Sequence, residues 1–228
     1  MKKKLALILA GTAMAAMVLA GCGEKNNASG EDVKTAESVE DKKTFTVGFD
    51  AEYPPYGYMD ENGEYTGFDL ELAEAVCKLE GWELVKKPLN WDSKDMELNS
   101  GSIDCIWNGF TMNGREDDYT FSDSYVDNSQ VIVVAEDSGI DTLDALAGKV
   151  VGVQAASAAL ELLQSEEEGG QKALADTFGS LNEFADYNTA FTELQAGALD
   201  ALAIDIGVAK YQIKSRGDGY KIVDETLN

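Results

Sequence analysis

Apolar positions along this chain fall into short runs whose period keeps changing. Residues 5–20 are apolar except for Gly11 and Thr12, and residues 23–43, GEKNNASGEDVKTAESVEDKK, are polar with only two Val and two Ala. From there strand and helix patterns alternate. TFTVGFD (44–50) has the period of two and the β-branched content of a strand. Residues 53–68, YPPYGYMDENGEYTGF, read as aromatic-rich turns. DLELAEAVCKLEG (69–81) places Leu72, Val76 and Leu79 on one helical face and stops at Gly81. A strand WELVKKPL (82–89), a short helix over 92–102 closed by Gly101, and a bulky strand IDCIWNGF (103–110) follow. SQVIVVAE (129–136) is a continuous apolar strand, residues 143–146 a helical turn, KVVGVQ (149–154) a strand and 155–165 a helix. SLNEFAD (180–186) has no decisive period. Helices at 187–199 and 207–215 alternate with strands at 200–206 and 220–225.

Strands alternating with helices predict an α/β protein with mostly parallel sheets flanked by helices. LNSGSIDCIWNG and LQAGALDALAID share one pattern: a helix, Gly, a short step, Asp, then a strand. One such unit in each half predicts two lobes, 44–128 and 129–228. The cleft between two lobes is a usual seat for a small ligand.

Charge narrows the partners. Asp and Glu number 42 against 18 Lys and Arg, a net charge of −24 with no His. Such a surface repels nucleic acid and anionic lipid. Lys2, Lys3 and Lys4 precede the apolar run, which is short for a membrane span and right for a signal segment. It ends in LAGC (19–22), small residues before a Cys, which resembles the bacterial lipobox. Cys22 is then the expected site of a fatty-acyl anchor such as palmitate, 1–22 the signal region and 23–43 a flexible tether. Cys77 and Cys105 are permitted a disulfide outside the cytoplasm, but one falls on a helix and the other on a strand, so two free thiols are expected. Without His no zinc spacing exists, and neither metal nor cofactor is expected.

VGFDAEYPPYGY, GEYTGFDLELA, NSGSIDCIWNGFT, REDDYTFSDSY, LAGKVVGVQAAS and LDALAID occur in an order that resembles the polar amino-acid-binding lipoproteins of ABC importers, solute-binding family 3. The resemblance runs from Thr44 to the end. It implies the two-lobed type II periplasmic-binding-protein fold, a monomer, and capture of a free amino acid for ABC permease subunits, without catalysis. It matches Arg115 to the ligand-carboxylate Arg, with Thr111 beside it, and Asp205 to the second-lobe carboxylate that faces the ammonium. Asn108 and Gly109 match strand-end positions, Asp50 a first-lobe acid, Tyr53 and Trp91 aromatic walls. Gln154 and Ser157 match a strand-to-helix turn that adds donors. The residues alone leave other roles open: Arg115 pairing with Asp117 or Asp118, Asp205 capping a helix, Tyr53 and Trp91 as plain core, Asp50 orienting its loop. Glu64, Glu71 and Glu166–Glu168 read as solvated surface. A cyclohexadienyl-dehydratase-like enzyme or a sensor module on the same fold are the alternatives.

Two departures from the family pattern bear on selectivity. GFTMNGRE has one residue fewer between Thr111 and Arg115, and Ala156 stands where Gly is usual. Glu52 and Asp123 near the cleft mouth suit a cationic side chain; an uncharged polar amino acid or cystine is equally compatible. In the resembling family a second crossover returns a strand and a closing helix to the first lobe. The sequence stops at Asn228 before these, so a truncated chain with a single crossover near 127–131 and a first-lobe sheet short of a partner are expected.

Overall fold

The computed structural model describes residues 43–217 and 219–228. The expected signal segment, Cys22 and the tether up to residue 42 lie outside them. The strands and helices, in chain order, are β1 Thr44–Phe49, β2 Glu52–Tyr53, β3 Gly57–Met59, β4 Tyr65–Thr66, α1 Phe68–Glu80 and β5 Glu83–Pro88. A 3₁₀ turn Trp91–Ser93 leads into α2 Lys94–Asn99 and β6 Cys105–Ile106. Beyond the crossover come β7 Gln130–Ala135, a 3₁₀ turn Leu143–Leu146, β8 Val150–Gln154, α3 Ala158–Gln164 and α4 Lys172–Ala175. β9 Ser180–Phe184, α5 Tyr187–Gln195, β10 Ala201–Asp205, α6 Ile206–Arg216 and β11 Tyr220–Thr226 complete the order.

Two main sheets result. The first has the order β5-β1-β6, all parallel. The second runs β11-β7-β10-β8-β9; β8 is parallel to β9 and β10, while β7 is antiparallel to β10 and β11. The chain up to Asn128 is called here the first half and the rest the second half. In the second half, Ile132 and Val134 share one face with Val151, Val153 and α3, while Val133 and Ile204 face α5 and α6. Tyr53 and Tyr56 of the first half insert into this latter cluster. The first half's own cluster is smaller: Val47, Phe49, Leu70 and Ala73.

The repeated unit has a shared hydrogen-bond geometry. In the first half α2 is followed by Gly101, and Asp104 exchanges bonds with β1: its N–H donates to the Thr46 carbonyl at 2.8 Å and its Oδ2 accepts from the Thr46 N–H at 2.7 Å. In the second half Asp200 does the same with Val150 of β8, at 2.9 and 2.8 Å. In each case an Asp closes the register between a strand and its parallel neighbour.

Some sequence expectations are corrected. The face of α1 that packs inward is Leu70, Ala73 and Cys77; Val76 is exposed and Leu79 is 85% exposed. Both stripes have helical spacing. The choice is fixed where the helix starts, because the Pro55 and Tyr56 carbonyls accept the Phe68 and Asp69 N–H groups. The turn region 53–68 holds a small antiparallel sheet, β2-β3-β4. Its second hairpin closes on Asp60, whose Oδ1 accepts from the Asn62 and Glu64 N–H groups. IDCIWNGF is paired only at Cys105 and Ile106. Beyond it Gly109 takes φ 56° and the chain leaves the sheet. SLNEFAD is a strand, and α4 answers to no earlier signal. Cys77 and Cys105 are free thiols, as expected. Among the described residues no helix is long and apolar enough to cross a membrane.

Candidate functional site

The turn after Thr111 delivers Arg115 to the space between the sheets. Gly114 takes φ 80°, a left-handed conformation natural to glycine, and the Arg115 N–H bonds the Met112 carbonyl at 2.9 Å. The guanidinium lies 4.6 Å from the Phe110 ring centroid and is buried. It does not pair with Asp117 or Asp118, which stay exposed. Its partners are the Thr111 carbonyl, at 3.2 Å from Nη1, and, from the second half, Glu161 and the Ala156 carbonyl.

Ala156 takes φ 53°, which costs a residue with a Cβ roughly 1–2 kcal/mol. In that conformation its carbonyl accepts from the Trp91 indole at 3.2 Å, Lys94 Nζ at 3.4 Å and Arg115 Nη2 at 3.5 Å. Ala156 thus holds this left-handed turn itself. Ser157 caps α3, its hydroxyl accepting from the Leu160 N–H at 3.2 Å. Lys94 is buried against the Trp91 ring, 5.2 Å from its centroid, and burial lowers its pKa.

Asp205 ends β10 at the N-cap position of α6, yet its side chain makes no cap bond. Instead Oδ1 accepts from Asn128 Nδ2 at 2.6 Å and Gln130 Nε2 at 2.7 Å, and Oδ2 from the Tyr187 hydroxyl at 3.2 Å. Every partner is neutral, and among the described residues no Lys or Arg pairs with this buried carboxylate. Burial and this charge push the Tyr53 and Tyr187 hydroxyls well above their ordinary pKa. Asp50 has a comparable setting. Its Oδ1 accepts from the Glu52 N–H at 2.9 Å and its Oδ2 from Gln154 Nε2 at 2.7 Å, across the halves. Its own N–H donates to Asn108 Oδ1 at 2.9 Å. Burial pushes its carboxyl up to about 6 against the pull of the Glu52 and Gln154 bonds.

A small recess is lined by Tyr53, Trp91, Asn108, Gly109, Thr111 and Arg115 from the first half and by Gln154, Ser157 and Asp205 from the second. Every expected ligand residue except Asp50 is on that wall. Asp50 lies behind Gln154 and lines an adjoining recess with Glu52, Trp91, Asp92 and Asp186. Asp123 lines a separate hollow beside Thr111 and Asn128. The expectations omitted Phe110 and Ala158, which also line the recess, and Lys94, Asn128, Gln130, Glu161 and Tyr187, which hold its charges. Phe110 sat in plain sight between Gly109 and Thr111. Lys94 and Glu161 follow Trp91 and Ser157 by about one helical turn, a spacing that puts them on the same side.

A buried guanidinium and a buried carboxylate on one wall, with aromatic faces between, suit a small zwitterion. Among the described residues no group of three or more His, Cys, Asp or Glu is placed to hold a metal ion.

Fold and recess together describe a solute-binding protein, with two α/β halves and a charged pocket between them. The chain belongs to the bacterial extracellular solute-binding proteins, family 3, which residues 45–212 match, and its fold is the type II periplasmic-binding-protein fold. It is 34% identical over 228 residues to the arginine-binding extracellular protein ArtP of Bacillus subtilis, covering 98% of this chain and 82% of that one. With the L-cystine-binding protein TcyJ of Escherichia coli K12 it shares 29% over 218 residues, 94% of this chain and 77% of that one. A solved ABC uptake transporter substrate-binding protein from Streptococcus pneumoniae, with bound histidine, superposes with a TM-score of 0.74 at 34% identity, over 80% of this chain and 76% of that one.

Proposed function

We propose that this protein captures a free amino acid outside the cytoplasm and hands it to an ABC importer. The carrying observation is the convergence of Arg115 and Asp205 on one small recess with aromatic walls. Arg115 takes the α-carboxylate, with Thr111 beside it. Asp205 takes the ammonium, and Tyr53, Trp91 and Phe110 enclose the rest. Lobes 44–128 and 129–228 close on the ligand by a hinge near the crossover, and the permease subunits read the closed form. The protein works as a monomer without turnover, tethered by a lipid on Cys22. Relatives named for arginine and cystine, and a solved relative with bound histidine, support the ligand class.

A thermal-shift screen of the twenty amino acids and cystine is the first test. A ligand at 100 times its Kd adds about 2.7 kcal/mol to stability. Arg115→Ala removes one partner of a buried charged contact, worth about 3–5 kcal/mol, and should weaken binding at least a hundredfold by calorimetry. Near-native affinity in that variant would remove Arg115 from the ligand. Cys22→Ser should move the protein from the detergent phase to the aqueous phase in partitioning, with affinity unchanged. An unshifted distribution would end the lipid-anchor reading.

A further inference from the structure

Glu161 stands on α3 one turn beyond the Ser157 cap, and its carboxylate reaches across to the Arg115 guanidinium. Both oxygens are engaged: Oε2 accepts from Nε at 2.8 Å and Oε1 from Nη2 at 2.6 Å. The two ends of this bridge differ in setting. The Arg115 side chain is 5% exposed, that of Glu161 50%.

A guanidinium has five N–H groups. Two are given to Glu161, one points from Nη2 to the Ala156 carbonyl and one from Nη1 to the Thr111 carbonyl. A carboxylate held side-on needs two parallel N–H groups. With Glu161 in place the fork cannot supply them. Lys94 sharpens the point. It is 4% exposed, makes no ion pair among the described residues, and shares the Ala156 carbonyl with Arg115. Two buried cations and the Trp91 indole N–H thus face one turn of the second half, and the carboxylate bonded there comes from Glu161.

We propose that Glu161 is a resident carboxylate in the seat of the ligand's carboxylate, so that it competes with the amino acid for Arg115 and sets the affinity downward. This rests on the amino-acid reading above. The exchange is balanced on the protein's side. Buried Arg115 meets a carboxylate before and after, while the half-exposed Glu161 swings into water, where a lost surface pair costs little. The ligand must outbid a contact already made, which lowers its apparent affinity by the fraction of time the fork is free.

Glu161→Gln keeps the shape and removes the charge. In the full chain, L-arginine, L-histidine and L-cystine are titrated by calorimetry into wild type and E161Q, and melting is recorded without ligand. Whichever of them binds should bind roughly threefold to tenfold more tightly to E161Q, while melting without ligand falls because Arg115 has lost its carboxylate. Unchanged affinity overturns the proposal. So does weaker binding, which would make Glu161 a support that aims Arg115 at the ligand. A second arm is independent of amino acids. Acetate is titrated into ¹⁵N-labelled protein and the Arg115 Nε–H signal followed. Half-saturation at a several-fold lower acetate concentration in E161Q supports competition, and equal concentrations overturn it even where wild type binds no amino acid. Failure of every amino acid on wild type, by contrast, sinks the ligand reading alone.

Discussion

Two charged residues show what a single position reveals and conceals. The motif around Arg115 marks the residue but not its partner. Arg115 is followed by Glu116, Asp117 and Asp118, yet its carboxylate comes from a helix 46 residues further on. The candidate wall residues were legible because the motifs place them at strand ends. Their hydrogen-bond partners were not, because pairs such as Asp50 and Gln154 join positions 104 apart, and only the closed sheets decide them. Asp69 is the second case. In sequence it is one more acid at a helix start, but the fold leaves it 0% exposed, with Oδ1 accepting from the Tyr125 hydroxyl at 2.9 Å and Oδ2 without a partner among the described residues. Burial pushes its carboxyl from 3.8 up to about 6, against the pull of the Tyr125 bond. The folded chain therefore keeps a proton that the unfolded chain has lost between about pH 4 and pH 6. Stability from this group is full below pH 4 and is lost as pH rises through 6. Asp50, also raised to about 6, acts in the same direction. Asp69→Asn keeps an acceptor for Tyr125 and carries no charge. Urea unfolding across pH should show a gain on the order of 1–2 kcal/mol at pH 7 and a flatter profile between pH 4 and 6. An unaltered profile would mean that Asp69 ionises freely and Asp50 alone carries the slope.

At the scale of elements, periodicity recovered the order of the main strands and helices, and it failed where an element is too short to hold a period. β2, β3 and β4 are two or three residues each and are held by hairpin pairing and by the Asp60 side chain. β9 lies at the edge of the second sheet, so its solvated side needs no apolar residues. The repeated helix–Gly–Asp–strand unit was legible as a pattern, but its purpose was not. Gly101 and Gly197, at φ 72° and 74°, lie just past the helix ends, and the Asp that follows each one accepts a strand N–H, from Thr46 within β1 and from Val150 at the start of β8. Removing such an acceptor leaves a strand N–H unsatisfied, at about 1–3 kcal/mol when buried. Asp200→Ala should therefore lower urea stability more than Asp104→Ala, since the Val150 bond is partly buried and the Thr46 bond exposed. Asp200→Asn keeps an acceptor oxygen and should recover most of the loss. If the Asn variant is as unstable as the Ala variant, the carboxylate's charge rather than its acceptor geometry is what the unit requires.

For the whole molecule, the question is what lets two halves with separate sheets meet closely enough to form one recess. Polar contacts cross between them at Asp50–Gln154, Glu52–Asn188 and Arg115–Glu161. The apolar part of the meeting is Tyr53 and Tyr56, stacked with centroids 5.4 Å apart and buried in the second half's cluster. Their approach depends on Gly207 in the first turn of α6. A Cβ at Gly207 would overlap the Tyr56 hydroxyl and lie 2.9 Å from its Cζ. Gly207 sits in helical backbone, and alanine is the better helix former by about 0.8–1.0 kcal/mol. Gly207→Ala should therefore leave the second half at least as stable while holding α6 away from the first. We expect amino-acid affinity to fall about tenfold or more, with little loss of urea stability and a larger radius of gyration by small-angle scattering at saturating ligand. Tyr56→Phe removes the oxygen nearest the new methyl group. The double variant should then regain part of the affinity, a non-additivity expected only of residues in contact. Wild-type affinity in Gly207→Ala would mean that the halves bind ligand without this approach, and that the Tyr56 contact belongs to folding rather than to closure.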